Sequence, residues 1–116
     1  MKMKKLIEKY LKRNSANSEN NEDKNKDINL EELNFLRNKG AIVIDVRSPQ
    51  EYNEGHINGA ISIPEYEMKK RAEALLENKE ENIVLYCSSG TRSKKAQKIL
   101  QKLGYKNVYN LITPYP

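Results

Sequence analysis

Three short apolar runs rich in β-branched residues, separated by helical patterns, constrain the fold of this chain most. The runs are residues 41–46 (Ala-Ile-Val-Ile-Asp-Val), 60–63 (Ala-Ile-Ser-Ile) and 83–86 (Ile-Val-Leu-Tyr). A continuous apolar run is typical of a strand that is covered on both faces. Strands that alternate with helices indicate a parallel sheet. The sequence therefore predicts an α/β fold, a mostly parallel sheet with helices on both faces.

The helices predicted between these strands rest on apolar spacing and on capping residues. Apolar stripes predict helices over residues 30–36, 65–77 and 93–103. A fourth, short helix is predicted from Ser48-Pro49-Gln50-Glu51, which supplies an N-cap, a proline at the first position and a capping-box glutamate. A last short strand is expected to begin at residues 108–109. The inward face of the last helix is predicted to consist of Ala96, Ile99, Leu100 and Leu103.

Residues 1–27 are predicted to lie outside the folded domain, which we expect to begin near Ile28. Residues 1–13 form a basic amphipathic pattern with six basic residues and one acidic residue, which accounts for the whole net charge of +5. Residues 14–27 contain one apolar side chain, Ala16, and read as a disordered polar linker. Because the rest of the chain is neutral, no nucleic-acid surface is expected on the domain.

The basic segment of residues 1–13 leaves two interpretations open. Such a helix could lie on an anionic membrane surface. The preferred interpretation is a short helix that frays or packs on the domain or a neighbour, because so short a helix is weak alone. No run approaches the roughly 18 apolar residues that a spanning helix needs. The lack of a signal peptide pattern, together with an unpaired cysteine, favours the cytoplasm.

The single cysteine, Cys87, carries the most chemical information. One cysteine and one histidine exclude an internal disulfide and a Cys/His zinc site, and no metal or cofactor is expected. Cys87 follows the strand at residues 83–86, at the sheet edge where parallel α/β proteins bind ligands. It opens a short polar segment, here called the Cys87 loop, that consists of Cys87, Ser88, Ser89, Gly90, Thr91 and Arg92.

The composition of the Cys87 loop predicts an anion-binding site. Backbone amides of a curled loop, the dipole of the following helix and Arg92 all favour negative charge. These groups should lower the pKa of the Cys87 thiol and make it a thiolate near neutral pH. The alternative is a buried cysteine that merely fills space. The surrounding loop favours the reactive interpretation.

Two blocks of the sequence form a pattern that is more specific than either block alone. One is the Cys-x-x-Gly-x-Arg-Ser pattern that begins at Cys87. The other spans residues 44–64, Ile-Asp-Val-Arg-x-x-x-Glu-Tyr-x-x-Gly-His-Ile-x-Gly-Ala-Ile-x-Ile-Pro. Together they resemble the rhodanese family of single-domain sulfurtransferases, and the resemblance covers the chain from Ile28 to about Leu111. It implies a rhodanese-like domain over residues 28–116 with about five strands, the active loop lying between a central strand and the following helix.

The resemblance also implies a reaction and its partners. The Cys87 thiolate takes the sulfane sulfur of a donor such as thiosulfate, and the resulting persulfide passes that sulfur to a thiol or cyanide. The backbone amides of the Cys87 loop would stabilise the persulfide, and Arg92 would attract an anionic donor. The expected partners are a small-molecule donor and a thiol or protein acceptor. A monomer or weak homodimer is expected.

Other chemistries remain as alternatives to sulfur transfer. Cysteine phosphatases have five residues between cysteine and arginine, whereas four separate Cys87 from Arg92, and a histidine precedes their cysteine where this chain has Tyr86. A phosphatase or an arsenate reductase therefore ranks below a sulfurtransferase. A non-catalytic or redox-sensing interaction module with the same fold also stays open.

Further polar residues admit both a structural and a functional role. His56 is interpreted as a scaffold residue that locks a loop, with a Cys–His pair as the alternative. Asp45 is interpreted as a structural partner of a nearby amide or of Arg47, and Arg47 could also line the pocket mouth. Three lysines just after the Cys87 loop could steer anionic donors, although a solvated helix face is the preferred interpretation: Lys94, Lys95 and Lys98.

The last residues depart from the family pattern. The family usually continues with a Gly-Gly pair, a helical turn and a tryptophan that packs under the sheet, whereas this chain reads Leu-Ile-Thr-Pro-Tyr-Pro over residues 111–116. The two prolines forbid a closing helix. One sheet face should therefore be less covered, unless Tyr115, the N-terminal helix or a second copy fills it. We hypothesise that the helix of residues 1–13 packs there.

Overall fold

The computed structural model describes residues 26–112. The helix expected at residues 1–13, nearly all of the linker, and residues 113–116 lie outside the described residues, as does the hypothesis that the N-terminal helix covers the sheet. No helix within the described part is long and apolar enough to span a membrane.

The described part alternates strands and helices in chain order. The strands are β1 (Asp27–Ile28), β2 (Ile42–Asp45), β3 (Ile61–Ser62), β4 (Asn82–Tyr86) and β5 (Asn107–Leu111). The α-helices are α1 (Leu30–Asn38), α2 (Pro49–Glu54), α3 (Met68–Leu75) and α4 (Thr91–Lys102), with a 3₁₀ turn at Glu65–Glu67 before α3.

All five strands form one parallel sheet in the order β1-β5-β4-β2-β3. This arrangement confirms the predicted α/β fold and the expected number of strands. Strand β4 is central, and Leu85 lies between Ile44 of β2 and Asn110 of β5. The Cys87 loop therefore leaves the sheet at the middle of its carboxyl edge.

The two faces of the sheet carry separate hydrophobic clusters. Alternate residues of β4 point to opposite faces, as the pleat of a strand requires: Ile83 and Leu85 belong to the cluster under α3 and α4, whereas Val84 and Tyr86 belong to the cluster under α1. Helices thus cover both faces, as predicted. This two-sided cover explains why the strands read as continuous apolar runs.

The sequence-based prediction missed β1. Asp27 was assigned to the linker, but it pairs with Asn110 of β5, and Lys26 before it is buried. A strand of two residues is too short to produce an alternation in the sequence, and only its pairing with β5 defines it.

The prediction of the last helix was wrong at its start. Helix α4 begins at Thr91 rather than Ser93, because Gly90 adopts a left-handed conformation (φ 91°) and turns the chain directly into the helix. Ala96 and Leu100 are buried as predicted, whereas Ile99 and Leu103 are only partly buried.

The central strand gives a direct test of the described core. Leu85 is fully buried, so Leu85→Ala should lower the free energy of unfolding by about 2–5 kcal/mol through lost burial and a residual cavity. Leu75→Ala is the matched control, because Leu75 is 47% exposed at the end of α3 and its truncation should cost less than about 1 kcal/mol. Urea denaturation measures both. Equal losses would contradict the described packing of β4.

Candidate active site

Cys87 lies at the carboxyl end of the central strand and is 1% exposed. Strand β4 pairs with β2 on one side and with β5 on the other, so the ends of all three strands lie at the same edge of the sheet. Helix α4 starts four residues later, at Thr91. The structure thus places the sulfur directly beneath the N-terminus of a twelve-residue helix.

The sulfur of Cys87 takes the role of a helix cap. The N-cap of α4 is Gly90, which has no side chain to accept hydrogen bonds from the first turn. Instead the amide of Gly90 donates to Cys87 Sγ at 3.0 Å, and the amide of Ser93 points to the same atom at 3.4 Å. Free amide donors of the helix end therefore converge on the thiol, in a position that favours a negative sulfur.

The pKa of the Cys87 thiol lies below its ordinary value. Burial alone raises this pKa, but a hydrogen bond with the Ser93 hydroxyl and hydrogen bonds from the amides of Ser93, Ser89 and Gly90 outweigh burial. The net lowering increases the thiolate fraction at a given pH. Since the thiolate is the nucleophilic form, this environment activates the sulfur.

Ser93 links the sulfur to a second buried polar side chain. The Ser93 hydroxyl lies 3.5 Å from Cys87 Sγ and is fully buried. It donates a hydrogen bond to the Oδ1 atom of Asn110 in β5, which is also buried. Asn110 is not among the site residues predicted from the sequence. The available signal was an asparagine inside the otherwise apolar run of the last strand.

Arg92 is held in an ion pair with a residue of α2. Its guanidinium contacts both carboxylate oxygens of Glu51, at 2.8 and 3.2 Å, and also donates to Ser88 Oγ at 3.2 Å. Glu51 completes a capping box with Ser48 at the start of α2. This cap is the only role of Glu51 that the sequence predicts. Its second contact joins residues 41 positions apart and becomes visible only in the folded chain.

The remaining loop residues and His56 surround this centre. Ser89 and Thr91 are exposed, and their hydroxyls lie 3.5 Å apart. His56 is exposed, stacks on the Tyr52 ring at 3.7 Å between centroids, and contacts the Tyr52 carbonyl through Nδ1 at 2.8 Å. Its described contacts are therefore with Tyr52 and not with Cys87.

Asp45 and Arg47 form a buried pair beside the Cys87 loop. Asp45 accepts hydrogen bonds from the Arg47 amide at 2.9 Å and from its guanidinium at 2.7–3.1 Å. The Tyr86 hydroxyl donates to Asp45 at 2.9 Å and accepts from the Ile57 amide at 3.0 Å, and burial raises the pKa of Tyr86. Arg47 is 3% exposed, and it also donates to the Gly55 carbonyl. These contacts tie the 45–57 segment to the end of β4.

Within residues 26–112 no group of three or more His, Cys, Asp or Glu side chains is arranged to hold a metal ion. The contacts of Cys87 form a site in which an activated sulfur lies among backbone amides. Such a site suits nucleophilic attack and the stabilisation of a negative product.

Removal of the Ser93 hydroxyl should raise the pKa of Cys87. The hydroxyl is the strongest of the groups that lower this pKa, so in Ser93→Ala the midpoint of the pH profile for alkylation by iodoacetamide should move to higher pH. Ser62→Ala in β3 controls for a serine-to-alanine change elsewhere in the sheet. An unchanged midpoint in Ser93→Ala would show that the hydroxyl does not stabilise the thiolate.

The sequence of this chain is similar to those of known proteins. The chain is 40% identical over 67 residues to the thiosulfate sulfurtransferase PspE of Escherichia coli, covering 58% of this chain and 64% of PspE. It is 36% identical over 89 residues to the tRNA uridine(34) hydroxylase of Photorhabdus laumondii, covering 72% of this chain but 25% of that enzyme. The chain thus spans less than two thirds of the length of these relatives.

Solved structures that are similar to this chain include a sulfurtransferase. The human single-domain sulfurtransferase TSTD1 superposes with a TM-score of 0.69 at 30% identity, covering 78% of this chain and 91% of that structure. Residues 29–114 match the family described as Rhodanese-like domain, which includes every strand from β2 to β5 and the Cys87 loop. The chain therefore belongs to the rhodanese-like domain family.

Proposed function

We propose that this protein is a sulfurtransferase that moves a sulfane sulfur from a small donor such as thiosulfate to a thiol or cyanide through a persulfide on Cys87. The observation that carries the proposal is the convergence of the Gly90 and Ser93 amides on Cys87 Sγ at the N-terminus of α4. This arrangement lowers the pKa of the thiol and stabilises negative charge on sulfur.

The proposed reaction has two displacement steps. In the first, the Cys87 thiolate attacks the outer sulfur of thiosulfate, the S–S bond of the donor breaks, and sulfite leaves with the bonding electrons. Cys87 then carries a persulfide with its negative charge on the added sulfur. In the second, cyanide or a thiolate attacks that added sulfur, and the Cys87 thiolate leaves. No electrons are lost or gained overall, so no external oxidant is required.

The Cys87 loop is suited to hold the charge in both steps. The charge moves outward by one S–S bond when the persulfide forms, and we propose that backbone amides of Ser88 through Arg92 then stabilise it. Gly90 at φ 91° lets the loop turn so tightly that its own amide reaches the sulfur. These dipoles are fixed before reaction and need no reorganisation, which is the basis of electrostatic catalysis.

The relatives support a sulfur-transfer reaction and leave its partners to be proposed. One relative is a thiosulfate sulfurtransferase by name, whereas others are tRNA uridine hydroxylases that share this domain as part of a longer chain. We propose a small-molecule donor and a thiol, free or on a protein, as acceptor. We propose the reducing cytoplasm as the location, because an unpaired cysteine is kept as a free thiol there.

Intact-protein mass spectrometry after incubation with thiosulfate tests the proposal. The wild type should gain one sulfur atom (about 32 Da), and cyanide should remove it. Cys87→Ser should gain nothing, because it keeps the size of the side chain but lacks the nucleophile. Circular dichroism of the variant checks that the fold is retained.

A folded wild-type protein without the added sulfur, whose Cys87 still reacts with iodoacetamide, would contradict the proposal. That result would favour the alternative in which this domain is an interaction or redox-sensing module.

A further inference from the structure

Four cations around Cys87 are paired with carboxylates. Arg92 contacts Glu51 at 2.8 Å, and Arg47 contacts Asp45 at 2.7 Å. Of the lysines that follow the Cys87 loop, Lys94 pairs with Asp27 at 2.7 Å and Lys95 pairs with Glu65 at 3.5 Å. The positive charge that the sequence suggested for this edge of the sheet is thus largely neutralised in the folded protein.

Glu51 is the acidic residue placed to matter most for a donor. Its carboxylate binds the loop arginine through both oxygens and is itself about one third exposed, as is Arg92. The hydrogen bond from Arg92 and those from Ser48 lower the pKa of Glu51 to about 2. Glu51 is therefore negatively charged at any pH at which the protein would act, and it stays at the rim of the Cys87 loop.

We infer that Glu51 is a specificity-determining residue, which biases the Cys87 site against the thiosulfate dianion and toward sulfane-sulfur donors of lower charge. The inference rests on the proposed function, because it concerns the donor of the same site. Its physical basis is twofold: the carboxylate repels an incoming anion, and it occupies the guanidinium that would otherwise bind one.

The size of the effect follows from Coulomb's law. At a solvated site, a unit charge on a neighbouring side chain changes the electrostatic energy of an approaching anion. For one unit of charge on the anion, this change corresponds to about 3- to 10-fold in reaction rate. A donor with one more negative charge should gain by that factor when Glu51 is neutralised. The gain should shrink as salt is added, because salt screens solvent-exposed charges.

Glu51→Gln is the variant that isolates charge from structure. Glutamine can fill the same capping-box position, so α2 keeps its N-terminal hydrogen bonds. Glu54→Gln is the matched control, since Glu54 is an exposed residue at the end of the same helix. It removes the same charge at a position that has no described contact with Arg92.

Alkylation of Cys87 tests the charge effect without sulfur transfer. The thiolate displaces iodide from iodoacetate, an anion, or from iodoacetamide, which is neutral, and forms a thioether in each case. In Glu51→Gln the ratio of the iodoacetate rate to the iodoacetamide rate should rise about 3- to 10-fold at low salt. In Glu54→Gln the ratio should stay close to that of the wild type.

Two sulfane donors that differ by one charge test the effect on the proposed reaction. Thiosulfate is a dianion that releases sulfite, and methanethiosulfonate is a monoanion that releases methanesulfinate; each leaves one sulfur on the Cys87 thiolate. Glu51→Gln should raise the ratio of the thiosulfate rate to the methanethiosulfonate rate by a similar factor. Mass spectrometry of the persulfide measures both rates.

The outcomes separate this inference from the proposed function. Unchanged ratios in both assays for Glu51→Gln, or equal changes in Glu54→Gln, would overturn the role of Glu51. A ratio that rises but does not respond to salt would also overturn it, since that pattern indicates a change of structure. If neither donor loads the wild type, the proposed function fails, while the alkylation ratio still decides whether Glu51 controls the charge of anions that reach Cys87.

Discussion

The hydrogen bonds between the sulfur of Cys87 and the amides of Gly90 and Ser93 are the contact on which the site depends. A helix must satisfy the amides of its first turn, and here the sulfur at the end of the preceding strand does so. The same geometry lowers the pKa of the thiol. Because the left-handed conformation of Gly90 lets the chain turn this tightly, it contributes both to the fold and to the reactivity of the site.

Around this contact, buried polar groups fix the positions of the segments that meet at the sheet edge. Asp45 joins Arg47 and Tyr86, and so connects the end of β2 with the end of β4. Ser93 joins the helix to Asn110 of β5. Each of these pairs is buried and hydrogen-bonded, so removal of one member would leave a costly unsatisfied group in the other. The site is therefore held by side chains from three adjacent strands.

Much of the fold could be predicted, because its signals are local. The apolar runs of β2 and β4 identified strands covered on both faces, and Ser48 with Glu51 identified the start of α2. The two-residue strand β1 could not be predicted, since it has no pattern of its own. The start of α4 was misplaced by two residues, because the left-handed conformation of Gly90 decides it.

The sequence by itself determined the fold class, the position of Cys87 after a buried strand, and the small, glycine-containing loop that follows, since these depend on residues close together in the chain. Only the tertiary structure decided that Glu51 holds Arg92 across 41 positions and that Ser93 meets Asn110 across 17. Such pairs arise where strand order and helix packing bring distant segments to one edge. The net charge that a substrate meets at Cys87 is therefore a property of the folded chain, because carboxylates pair with cations at this edge and reduce its positive charge.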